Sequence, residues 1–165
     1  LSARDAYGKT VVKLRQALEG SGVKIYTGAP YKLVILDEQE TRRSASSSSS
    51  GRAAEYALNT RVDYEIRGSY DRQLVKNNVQ IEKIYVHDGN NLTGSDLEAD
   101  QIRNEMRSDL VQNLMGKLQQ LTPARLDELQ AKADAVAKAE ADALEAAQRI
   151  RDETPQQSPI EIPSR

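Results

Sequence analysis

The chain has 165 residues, 38% of them hydrophobic, with seven Tyr, one His and no Phe, Trp or Cys, and a formal net charge of -2. That is about one domain of length, with a core that must rest on Leu, Val, Ile and Ala. Disulfides, thiolate nucleophiles and Cys metal sites are excluded. No global field draws in nucleic acid, and no run approaches the apolar length of a membrane helix.

The N-terminal Leu1-Ser2-Ala3-Arg4 has neither an initiator Met nor signal-peptide character, so it reads as a processed or truncated start. Residues 5–20 read as a helix, with Tyr7, Val11, Leu14 and Leu18 on one stripe. Gly20 and Gly22 stop it. Val23 to Tyr26 reads as a short extended piece. Tyr31 to Leu36 reads as a strand running on to Arg43. Ser46 to Ser50 with Gly51 is the least structured stretch of the body. Arg42, Arg43 and Arg52 flank it, so a strand–loop–strand hairpin carries three guanidiniums near its tip.

The clearest period-2 signal follows. Tyr56, Leu58, Thr60, Val62, Tyr64 and Ile66 alternate with Ala57, Asn59, Arg61, Asp63, Glu65 and Arg67. One face is apolar and the other charged, as in an antiparallel sheet with one wet face. Gly68 to Arg72 contains the turn, and Leu74 to Val86 returns. Ser95 with Glu98 three residues on reads as a capping box. The acidic run Asp96, Glu98 and Asp100 reads as complementing the dipole of a first turn. Ile102, Met106, Leu110, Leu114 and Leu118 then recur four apart. Thr122 followed by Pro123 reads as a helix start with Pro at its first position.

Composition shifts at this point. Residues 1–122 hold 17 Lys/Arg and 16 Asp/Glu, whereas residues 123–153 hold 5 and 8, with ten Ala between Ala124 and Ala147. Three parts are therefore expected: a body over 1–122, an Ala-rich helical extension over 123–153, and a tail over 154–165. Three prolines and few apolar residues predict a disordered tail.

Site chemistry is sparse. No phosphate-binding glycine motif and no zinc motif is present. His87 sits beside Asp88 in a turn-forming run, without the further groups a triad needs. No catalytic residue, metal site or cofactor is expected.

The order of elements, together with Ala54-Glu55-Tyr56 at the head of a strand and Lys83, Tyr85, Asp88, Asn90, Asn91 and Glu98 around the last turn, resembles the LptE family, also called rare lipoprotein B. The likeness is greatest to pseudomonad members and covers about residues 1–122. The resemblance implies an α+β fold, with two helices on one face of a mostly antiparallel mixed four-stranded sheet. The first strand would have to end within Leu1 to Arg4. It also implies a non-catalytic outer-membrane lipoprotein on the periplasmic side, anchored through an upstream lipidated Cys. Such a protein plugs the LptD β-barrel, helps it assemble and supports lipopolysaccharide delivery to the outer leaflet. Basic side chains near the loops would meet lipopolysaccharide: Arg42, Arg43 and Arg52 first, Arg67 and Arg72 second. The alternative reading is a generic periplasmic adaptor or ligand-binding module.

Overall fold

The computed structural model describes residues 1–47, 53–88 and 92–153. Its elements are β1 (Ser2–Ala3), α1 (Lys9–Gly20), β2 (Lys32–Ser47), β3 (Ala53–Arg67), β4 (Gln73–Asp88), α2 (Leu92–Gln119) and α3 (Pro123–Glu153). The four strands lie in the order β1-β2-β3-β4, with β1 parallel to β2 and the other pairs antiparallel. This is the expected α+β fold with a mixed, mostly antiparallel sheet. The Ser-rich loop beyond Ser47, Arg52, Asn90, Asn91 and the tail lie outside the described residues.

The alternating run occupies β3, between two long partners. Its even-numbered side chains turn to the helices: Leu58 and Val62 are fully buried, and Tyr64 is the largest buried side chain. Val62 and Tyr64 meet Leu14 of α1 and Leu110 and Leu114 of α2 in one core. A smaller cluster of Leu58, Tyr85, Ala99 and Met106 lies further along the sheet. The predicted burial of Leu14, Leu18, Leu110 and Leu114 holds, with Leu118 half-buried against them. With no larger aromatic available, Tyr64 fills the centre, and burial pushes its phenol above the ordinary range.

Three local readings are corrected. The first helix begins at Lys9, so Tyr7 stands outside it, 92% exposed. Asp5 makes a turn there, accepting the Tyr7 N–H on its side chain and the Gly8 N–H on its carbonyl. α2 begins at Leu92, which puts Ser95 in the helix interior and buries it. Ser95 and Glu98 are therefore no capping box, and the first turn holds no acidic residue to complement the dipole. Val23 to Tyr26 forms no strand. Gly22 does end α1, at φ +81°, where a side chain would be strained.

The start of α3 is as predicted. The Thr122 hydroxyl accepts the Arg125 N–H at 3.3 Å, and its carbonyl accepts the Leu126 N–H. The chain divides into two units, Leu1–Gln130 and Ala131–Arg165. The first turns of α3 belong to the first unit, where the Tyr31 hydroxyl donates to Asp127 and the Ser69 N–H donates to Gln130. In the second unit Val136, Leu144 and Ile150 are exposed. No helix among the described residues is long and apolar enough to cross a membrane.

Candidate functional site

Strand register decides which face each charge occupies. β2 pairs Arg42 with Leu58 and Arg43 with Ala57. Leu58 is core, so Arg42 shares the helix side of the sheet and Arg43 lies on the open side. Neighbours in sequence are thus on opposite faces, and the expected trio does not converge on one surface.

On the helix side, toward the β2–β3 loop, Arg42 stacks on Tyr56 with its guanidinium carbon 4.9 Å from the ring centroid. Tyr56 stacks on Tyr85 at 5.9 Å and meets the edge of His87 at 5.8 Å. Among the described residues Arg42 meets this ring and no carboxylate. Two of the family-motif residues, Tyr56 and Tyr85, therefore form an aromatic platform under a cation, an arrangement that orients a guanidinium while leaving its N–H fork available.

The next helix-side residue of β4 is Lys83, another motif position. Its ammonium lies 2.9 Å from Asp109 and 3.3 Å from Glu105 of α2. These bonds, that to Asp109 first, raise the lysine above its ordinary range. Glu105 is lowered, by a hydrogen bond from Gln101 first and by Lys83 second. Lys83 is a clasp between sheet and helix. Arg103 does the same on the other flank, donating to Glu40 of β2 at 2.8 Å and to Asp100.

On the open side, Arg43 pairs with Glu82 at 2.8 Å, and the Ser46 hydroxyl donates to Glu55 at 2.7 Å. Glu98 is exposed on α2. Asp88 is the last residue of β4.

The opposite end of the sheet is the β3–β4 turn. Arg67 is held by Glu65 at 2.8 Å and Asp71 at 2.6 Å. Lys32 also bonds Asp71 at 2.9 Å, and these cations, Lys32 first, hold its carboxyl below the usual range. Arg72 lies over the ring of Tyr70 at 5.2 Å. Tyr70 and Asp71 both adopt positive φ, near 58° and 57°. Two side-chain-bearing residues in that region are costly, by roughly 1–2 kcal/mol each. Asp71 is held there by its two cations, while Tyr70 is 87% exposed.

Sequence reading missed the Arg42–Tyr56–Tyr85 platform. The signal was present, because period-2 parity alone separates Arg42 from Arg43. It also missed Tyr70, since neither Gly nor Asn stands at the two positive-φ positions of that turn. Among the described residues, no cluster of three or more His, Asp or Glu could hold a metal.

The comparisons with known proteins agree with this architecture. The LptE family, described as lipopolysaccharide-assembly, matches residues 2–118. Rare lipoprotein B from Shewanella oneidensis superposes with a TM-score of 0.65 at 21% identity, over 72% of this chain and 91% of that one. A minor lipoprotein from Acinetobacter baumannii gives 0.58 at 15%, over 71% and 89%. An uncharacterized lipoprotein B from Nitrosomonas europaea gives 0.62 at 18%, over 77% and 86%. Among curated proteins no relative matches.

Proposed function

The chain belongs to the LptE lipopolysaccharide-assembly family, and from that premise we propose that it is a non-catalytic, lipid-anchored protein on the periplasmic side of the outer membrane that plugs the LptD β-barrel. In this role it assists assembly of the barrel and supports delivery of lipopolysaccharide to the outer leaflet. The observation that carries the reading is the family match over residues 2–118, which runs from β1 almost to the end of α2. The open face of the sheet supports it. Arg61, Asp63, Asn78 and Gln80 form a mixed polar ladder there, which suits the polar interior of a wide barrel. The test is recovery of LptD with the tagged full-length protein from mild detergent. Stable association is expected, and a protein recovered without the barrel overturns the reading.

Within the same proposal, lipopolysaccharide meets the loop end of the sheet through Arg42 first; Arg43, on the opposite face, and Arg52 complete the first set. Arg67 and Arg72 are the second set. What supports Arg42 is its guanidinium on an aromatic platform with no carboxylate partner among the described residues. Phosphates and carboxylates take bidentate, charge-assisted bonds from such a group. Arg67 is a weaker candidate because two carboxylates already hold it. Binding of the purified protein to immobilised lipopolysaccharide should weaken in Arg42→Glu and less in Arg43→Glu. Equal binding by the Arg42/Arg43/Arg52 triple Glu variant removes this set. No binding by the unmutated chain removes direct lipid contact and leaves the barrel role to its own test.

A further inference from the structure

The outer edge of a sheet presents N–H and C=O groups that invite another strand. β4 is such an edge, sixteen residues long and last in the sheet order. Lys117 of α2 reaches it, donating to the Asn78 carbonyl at 2.6 Å. The Asn78 N–H donates to the side-chain oxygen of Asn77 at 2.8 Å. Both main-chain groups of Asn78 are taken by side chains, so they point away from β3. Every second residue of a pleated strand does the same. The edge groups are therefore those of Lys76, Asn78, Gln80, Glu82, Ile84 and Val86.

The charges along this edge are complementary to themselves. Antiparallel addition of a second copy with Val79 opposite Val79 sets Lys76 opposite Glu82, and the two-fold axis makes that pair twice. It also sets Asn78 opposite Gln80 on both sides of the axis. The Lys76 and Glu82 side chains are 61% and 40% exposed. The Lys76 contact within the chain, to Glu65, is long at 3.8 Å. Ile84 and Val86, further along the same face, are also exposed. The Asn78 groups closest to the axis are the ones that Lys117 and Asn77 occupy.

We propose that β4 is a self-complementary pairing edge held shut by Lys117 with the help of Asn77, so that the chain stays a monomer until this clip is released and two copies join through β4.

Lys117→Met keeps the apolar stem and removes the donor. At a concentration where the full-length wild type sediments as a monomer, Lys117→Met should sediment as a dimer with an unchanged circular dichroism spectrum. Amide exchange at Gln80 and Glu82 should slow by about tenfold or more. Adding Lys76→Glu sets Glu opposite Glu and should restore the monomer, and the further change Glu82→Lys should restore the dimer. Asn77→Ala leaves α2 untouched and should raise the dimer fraction by less. If Lys117→Met does not fold, a purely monomeric Asn77→Ala overturns the proposal. So does a folded, monomeric Lys117→Met, a wild type that already dimerises through β4, or a dimer indifferent to Lys76→Glu.

Discussion

α2 and α3 are of similar length, 28 and 31 residues, yet they stand in opposite relations to a core. α2 repeats apolar residues every four positions and buries Met106, Leu110 and Leu114. α3 spreads its apolar content over alanines, and none of its residues is buried. Length and helix propensity are comparable, so what separates them is side-chain volume on one stripe. A long helix in water gains most of its stability from tertiary packing. By that measure α2 is part of the fold, whereas α3 adds no buried side chain to its helix propensity.

Hydrogen exchange gives the largest contrast. Amides of α2 around Met106 to Leu114 should exchange only with global opening, and those of residues 131–150 by local fraying. For an ordinary domain that difference is on the order of 5 kcal/mol or more. Protection over 131–150 equal to that of β3 would erase the distinction. Substitution comes next. Leu110→Ala removes a fully buried side chain and should cost about 2–5 kcal/mol. Leu144→Ala acts on a residue 62% exposed and should stay within about 0.5 kcal/mol. Urea midpoints of the two variants report both numbers. An unchanged midpoint for Leu110→Ala would dismantle the packing account.

Much of this difference was legible in the sequence, because core-making patterns are local. The four-residue spacing from Ile102 to Leu118 and the alternation from Tyr56 to Ile66 each name a buried face without knowledge of the partner. The helix starts were less legible. Ser95 and Glu98 satisfy a cap pattern, but α2 begins three residues earlier, and Ser95 is buried within it. The turn at Tyr70 and Asp71 was hidden for a related reason. The cations that hold Asp71 there are Lys32 and Arg67, and Lys32 lies far away in sequence. The candidate site falls between these cases. Parity assigns Arg42 to a face, while its stacking on Tyr56 depends on the register of two strands.

The smallest effect tests how α2 is fastened. Lys83 of β4 bonds Asp109 and Glu105 of α2. The pairing raises Lys83, and Glu105 is lowered by Gln101 first and by Lys83 second. A raised lysine contributes stability that is full below its unfolded pKa and is lost as pH rises through the folded value. A lowered carboxylate contributes stability that is present above its unfolded pKa and is lost as pH falls through the folded value. The clasp therefore works between the carboxylate range and the lysine range. Both groups are solvent-facing, so the gain is modest and screened by salt. Lys83→Met should lower the urea midpoint slightly at neutral pH. The wild-type and variant curves should converge as pH falls through the depressed range of Glu105, and again as pH rises past the lysine. Arg149→Met removes a bond to Glu145 that lies wholly within α3 and should leave the midpoint where it was at every pH. A gap between Lys83→Met and wild type that stays constant from acid to neutral pH would mean that the stem of Lys83, rather than its charge, holds α2 to the sheet.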